Sequence, residues 1–235
     1  MRDNRACFAA PPEMIPFEVF VGCAFDGQGA TQIRDWRRLS ESRLWEELCL
    51  CILSSRTRFD AAAEALARLS RLGLLVRLRR EPDLVSYVDI ASVLRSKKRR
   101  QQKVPGIPFW RTRARQLVKA ARLFYGGEKD GLRSFLSRFR DSEAARSQLV
   151  QDVPGLGMKQ ASHFLQNVNF SRDLAVIDTH LVRFLREELM ITAMGPGGVT
   201  PGAYARLEWR IQRIAAANGL DMRLLDRVIW SMRRR

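Results

Sequence analysis

The chain has 235 residues, with 41 Lys and Arg against 25 Asp and Glu, a formal charge of +16 and a pI near 11.0. Its hydrophobic content of 46% is enough to bury a core, as one large or two small domains. No apolar run reaches the roughly 18 residues of a membrane span and Met1–Arg5 has no signal-peptide pattern, so the expected setting is the cytoplasm and the expected partner an acidic polymer.

In chain order, only Phe17–Cys23 reads as a strand. Helical periodicity or capping signals mark 40–53, 58–75, 83–94, 112–125, 130–139, 143–152, 158–168, 179–188, 201–218 and 222–232, which makes the chain all-α. The Gly- and Pro-rich stretch 192–202 is a loop. All four cysteines precede residue 52, and Cys49 and Cys51 sit two apart on a helix and face different sides, the pattern of buried free thiols.

Basic residues cluster twice. Arg95, Lys97, Lys98, Arg99 and Arg100 put five cations into six residues, with Lys103 close behind; they repel one another and read as a solvated linker. Arg111, Arg113, Arg115, Lys119 and Arg122 are spaced along a helix and suit phosphate contacts better. Arg233–Arg235 reads equally as a frayed end or a DNA clamp.

The most informative segment follows. A helix over 144–152 is broken by Pro154, Gly155 and Gly157, and a second helix starts at Met158, giving a helix, hairpin, helix unit over 144–168. Gly155 and Gly157 are expected to take positive φ and to let another molecule come close, while the first turn of the new helix aims unpaired amides outward, a site suited to phosphate. Ala161, Phe164, Leu165 and Val168 form the buried stripe of that helix, which places Lys159, His163 and Gln166 on the opposite side. The apolar segment 174–177 then leads to Asp178, which stands at the N-cap of the next helix. A carboxylate held by helix amides is immobile, and it can both cap a helix and stabilise developing positive charge.

The run Pro154–Asn167 together with Leu174-Ala-Val-Ile-Asp-Thr-His180 resembles the helix-hairpin-helix DNA glycosylase superfamily. Ala161–Leu165 is most similar to the compact 8-oxoguanine DNA glycosylase/lyases of archaea and some bacteria. Segments 47–55, 113–121, Tyr204-x3-Glu208 and Leu225-Asp-x3-Trp230 resemble other helices of that family. The resemblance implies two helical domains flanking a cleft: 40–170 with the hairpin, and 1–39 plus 171–235. It implies Lys159 as the nucleophile that attacks C1′ and forms a Schiff base, with Asp178 as its carboxylate partner. An ordinary lysine is protonated at neutral pH, so the reaction must also supply a proton acceptor.

The same resemblance implies a phosphate-binding hairpin of Val153, Gly155 and Gly157, Arg56 and Arg113 as a wedge into the duplex or a DNA contact, and Phe184 and Trp230 as base-pocket residues. Glu208 on the closing helices reads as structural. No cofactor is implied beyond a monovalent cation at the hairpin. With no cysteine after Cys51, the C-terminal four-cysteine iron–sulfur cluster of relatives such as endonuclease III has no ligands here. The implied partner is double-stranded DNA carrying a damaged or modified base, bound by a monomer.

Two departures from the compact family stand out. Its members use a C-terminal tail ending in lysine to recognise the oxidised guanine, whereas here five residues follow Trp230, ending at Arg235; Asn169 stands where glycine is common and predicts a different turn after the hairpin's second helix. Another modified base, or phage defence in place of repair, stays open on the sequence. So do a helix-hairpin-helix binder without catalysis and, more distantly, a helix-turn-helix regulator.

Overall fold

The computed structural model describes residues 35–95, 97–99, 102–104, 106–188 and 200–232. The strand expected at Phe17–Cys23, the loop after Thr192 up to residue 199 and Arg233–Arg235 lie outside the described residues. Chain contacts divide the protein into two compact units, one spanning 32–171 and the other containing 172–235. The described residues are helical apart from one small two-stranded sheet.

The first unit is built around α1 (Glu41–Ser54), with α2 (Phe59–Arg71), α3 (Leu74–Arg80), α4 (Tyr87–Leu94), α5 (Trp110–Tyr125), α6 (Gly131–Ser137), α7 (Ser142–Asp152) and α8 (Met158–Asn167). Ser40 starts α1 by accepting from the Arg43 amide at 3.2 Å. Leu44, Trp45, Leu48, Ile52 and Leu53 are all fully buried, because α1 packs against α2, α3, α5, α6 and α8 at once. The Trp45 indole donates to the Leu75 carbonyl at 3.1 Å, so its polar atom is satisfied inside the core.

The helix expected over 58–75 is two helices. Gly73 adopts φ +68 and its amide bonds the Ser70 carbonyl, a left-handed stop that an uninterrupted apolar periodicity conceals. The basic block read as a linker contains an antiparallel ribbon, β1 (Lys97–Arg99) paired with β2 (Gln102–Val104), with Lys97 opposite Val104 and Lys98 opposite Lys103. Dense charge hid that pairing, since strand signals rest on apolar alternation.

Residues 35–39 belong to this unit, whereas the sequence reading places them with 171–235. Arg133 donates to the carbonyls of Arg37 and Leu39, and Trp36 packs on Phe170 with ring centroids 5.5 Å apart. The Glu41 carboxylate closes the same corner, accepting from Tyr125 Oη at 2.9 Å and from the Leu132 and Arg133 amides at the start of α6. Burial, and then the Glu41 charge, push the Tyr125 phenol up, so it stays a donor.

The second unit comprises an extended segment, α9 (Thr179–Glu188), α10 (Pro201–Ala217) and α11 (Met222–Met232). Thr200 caps α10 through the Ala203 amide, with Pro201 at the first helical position where no amide partner is needed. Among the described residues no helix is long and apolar enough to cross a membrane.

Candidate functional site

The hairpin is a short turn anchored from below. Asp141 caps α7 through the Ala144 amide at 2.7 Å, and α7 ends where the Val153 amide bonds the Leu149 carbonyl. Leu156 N–H then returns to the Val153 carbonyl at 3.1 Å, across Pro154 and Gly155, the latter at φ +87. Proline followed by a positive-φ glycine is the signature of a type II turn. Val153 and Leu156 are buried and hold the turn down, while Gly155 and Gly157 are exposed. The left-handed backbone requires this glycine, and a Cβ there would also have to displace the Gln116 side-chain amide.

Gly157 differs from the expectation. Its φ of −97 suits any residue, and a Cβ there would meet nothing within 4 Å. What glycine supplies at 157 is open space directly before α8, whose N-terminus no side chain caps. First-turn amides with free approach are the anion-binding feature of a helix start.

Lys159 is the second residue of α8 and is half-buried. The helix is enclosed over more of its surface than the two-sided pattern suggested: Gln166, expected outside, is buried, as are Gln160 and Ser162. The reason is that α8 packs on both α7 and α1 and satisfies polar groups there. Gln160 Nε2 donates to the Cys51 carbonyl at 3.0 Å and to Ser54 Oγ at 3.1 Å, at the C-terminal end of α1, where carbonyls lack helical partners. Arg146 reaches Ser162 Oγ at 3.2 Å, and Asn167 reaches Glu47 Oε2 at 3.3 Å.

Lys159 thus stands beside the end of α1. Burial, with help from Glu47, pushes the Cys51 thiol up, and the Lys159 charge opposes that rise. A buried, protonated thiol is a poor nucleophile. Cys49 and Cys51 are both free and buried.

The two arginines separate. Arg56 is exposed, in the turn after α1, with φ +54. Arg113, grouped with it as a DNA contact, is only 6% exposed. It donates to the Ser55 carbonyl at 2.6 Å and to Gln116 Oε1 at 2.8 Å, and its Nε is buried without a partner. Burial and then the Arg56 charge lower its pKa, yet a guanidinium stays charged. Arg113 is therefore a support. It pins the turn that presents Arg56 and orients Gln116 under Gly155. Spacing along α5 could not show this, because Arg111, Arg115, Lys119 and Arg122 on the same helix are all exposed.

After α8 the chain stops on Asn169 at φ +59, with Phe170 N–H on the Leu165 carbonyl and Asn169 N–H on the Gln166 carbonyl. This is a Schellman motif with asparagine in the left-handed position, so the turn keeps the geometry glycine would give, contrary to the difference expected.

In the second unit, Asp178 accepts from the Leu181 amide at 2.8 Å through Oδ1 and, through its carbonyl, from Val182 at 3.0 Å: it is the N-cap of α9. The segment before it, 174–177, is buried and extended, with its backbone held by α10. Glu208 Oε1 accepts from the Ala175 amide at 2.7 Å, and Tyr204 Oη donates to the Ala175 carbonyl at 2.6 Å while accepting from Ile177 N–H at 3.3 Å. Gln212 Nε2 adds a bond to the Asp173 carbonyl at 2.9 Å. Tyr204, Glu208 and Gln212 lie one helical turn apart, a spacing visible in the sequence whose purpose was not. Phe184 lies on α9 and Trp230 on α11; their side chains are outside the described residues. Among the described residues no group of His, Cys, Asp or Glu side chains is arranged to hold a metal ion.

Comparison with known proteins agrees with this arrangement. The family model described as 8-oxoguanine DNA glycosylase, of the helix-hairpin-helix type, matches residues 30–220. The chain is 31% identical over 196 residues to an 8-oxoguanine DNA glycosylase/AP lyase of Saccharolobus islandicus, covering 82% of this chain and 83% of that protein. It is 27% identical over 202 residues to the protein of the same name in Methanocaldococcus jannaschii, covering 86% of each. The crystal structure of the 8-oxoguanine DNA glycosylase of M. jannaschii superposes with a TM-score of 0.70 at 25% identity, over 91% of this chain and 87% of that one. A structure of the M. jannaschii glycosylase/lyase in complex with DNA containing 8-oxoguanine gives 0.68 at 25% identity, over 85% and 84%. The hairpin and a similarity that extends over most of the chain agree, and this chain belongs to the helix-hairpin-helix 8-oxoguanine DNA glycosylase family.

Proposed function

We propose that the protein is a bifunctional DNA glycosylase and AP lyase that excises 8-oxoguanine from double-stranded DNA. The observation that carries this is Lys159, half-buried on the first turn of α8, two residues past the open Gly157 and beside uncapped helix amides. A phosphate seated at those amides sets the sugar of a neighbouring nucleotide within reach of an amine on the same turn.

In this reading the neutral Lys159 amine attacks C1′, the N-glycosidic bond breaks and the oxidised base leaves with the bond's electrons. Loss of a proton from the nitrogen and ring opening give the Schiff base. Removal of a C2′ proton then breaks the C3′–O bond by β-elimination, and water releases the enzyme. The Asp178 carboxylate, fixed by the Leu181 amide, stabilises positive charge at the sugar and exchanges protons with the amine. Arg56 enters the duplex as the wedge, Phe184 and Trp230 line the base pocket, and the protein acts as a monomer. A monovalent cation at the hairpin would be held by backbone carbonyls of the 153–157 turn and would supply positive charge for binding phosphate.

The test is a panel of duplexes carrying 8-oxoguanine, uracil, an oxidised pyrimidine or an abasic site, scored for base release, nicking and borohydride trapping. Release from the 8-oxoguanine duplex with a trapped adduct is the expected result. Preference for another lesion changes the substrate and keeps the chemistry, while binding without release or trapping sinks the enzymatic reading.

A further inference from the structure

A concave groove of about 480 Å³ lies between α4 and α5, lined by neither Lys159 nor the hairpin residues, and no step of the proposed reaction uses it. Its walls are Tyr87, Arg95, Trp110, Arg111 and Arg115, and Val88 and Ala91 add apolar surface. The arginines are stacked on the rings: Arg111 lies 4.6 Å and Arg95 5.8 Å from the Trp110 ring centroid, and Arg115 lies 4.8 Å from that of Tyr87. Among the described residues none of these three guanidiniums forms an ion pair with a carboxylate, whereas Arg122, further along α5, reaches Asp83 at 3.2 Å.

Three unpaired cations held close together repel one another, and an anion relieves that repulsion. Stacking on aromatic rings fixes each guanidinium plane while leaving its N–H edges free to meet phosphate oxygens. The apolar lining narrows the choice further. A duplex presents phosphates outside and keeps its bases stacked within, so it has no use for Val88, Ala91 and the rims of Tyr87 and Trp110. An unpaired nucleotide offers both parts, phosphate for the arginines and a flat base for the aromatic and apolar surface. The volume falls in the range of roughly 300–1,000 Å³ usual for sites of that ligand size.

We propose that the α4–α5 groove is a second nucleic-acid subsite that binds an unpaired nucleotide of a DNA strand. Arg113 and Gln116, which support the Arg56 turn and Gly155, share the first two turns of α5 with Arg111 and Arg115. One helix thus serves both surfaces, and DNA whose duplex lies at the hairpin can run its single-stranded end into the groove. The proposal stands without the lysine chemistry, because it is read by binding alone.

The experiment uses the full chain and three probes: a short labelled oligothymidylate, a blunt duplex of the same length, and a polyglutamate competitor. Arg111→Gln with Arg115→Gln is expected to weaken oligothymidylate binding by about tenfold, the scale of one stacked base. Blunt-duplex binding should change by less than about threefold, as it should in a control with the same charge loss on α3, Arg77→Gln with Arg80→Gln. Tyr87→Leu, which alters no charge, should also weaken the single strand and spare the duplex. Borohydride trapping on an abasic duplex stays intact in every variant. Equal losses on strand and duplex, a loss no larger than in the α3 control, or unchanged binding each overturn the subsite. Competition by polyglutamate stronger than by unlabelled oligothymidylate also overturns it, in favour of an acidic protein segment.

Discussion

The surroundings of Lys159 and Asp178, the two residues proposed to act on the sugar, solve one problem, immobilising a side chain, by opposite means. Around Lys159 the backbone does the work: a proline–glycine turn, an uncapped helix start and buried anchors at Val153 and Leu156 leave the residue little freedom. Around Asp178 side chains hold an otherwise irregular segment, with Tyr204, Glu208 and Gln212 gripping the backbone of 173–177. The lesson is that a loop can be as well defined as a helix when its buried amides and carbonyls are met by side chains from a rigid neighbour. The two designs differ in what breaks them.

The largest effect is expected at Lys159, the proposed nucleophile. Lys159→Gln keeps a polar side chain of similar length, and nicking and borohydride trapping should fall below about one-thousandth of wild type while duplex binding persists. An undiminished adduct would move the nucleophile elsewhere, for instance to the N-terminal amine. Asp178→Asn comes next: turnover should drop on the order of a hundredfold, with stability changed by less than about 1 kcal/mol, since asparagine also caps helices. Full activity in that variant would reduce Asp178 to a helix cap.

Supports come third. Glu208→Ala removes the partner of the buried Ala175 amide and should cost about 1–3 kcal/mol, read as a lower denaturation midpoint, with turnover lost through a displaced Asp178. Gly155→Ala should cost a similar amount, roughly 1–3 kcal/mol, from its left-handed backbone, and should weaken binding to damaged and undamaged duplexes alike. Adding Gln116→Ala removes the overlap and leaves the backbone strain, so recovery should be partial; complete rescue would show that only the overlap matters. The smallest effect is at Asn169: replacement by glycine should leave stability within about 0.5 kcal/mol, because both residues accept the left-handed conformation.

Much of the site was legible without coordinates. Pro154, Gly155 and Lys159 sit within six residues, and turn chemistry, helix breaking and a nucleophile all act locally at that scale. Asp178 was legible as an N-cap for the same reason: its amide partner is three residues away. Gly73 escaped because an apolar stripe continues across it, and the Lys97–Val104 ribbon because its residues are charged.

The sequence by itself determined the helices, the hairpin and the family, because periodicity, caps and turns are written between residues a few positions apart. Only the tertiary structure decided which residues are supports and which are free to meet a ligand. Arg111, Arg113 and Arg115 alternate on one helix and look alike in sequence, yet one is buried against Ser55 and two line an open groove. Gln160, Tyr204 and Glu208 find partners 27 to 109 residues distant, and no local pattern records such meetings. Burial and long-range hydrogen bonding assign these roles because they depend on which surfaces the helices press together, a property of the packed chain and not of any stretch of it.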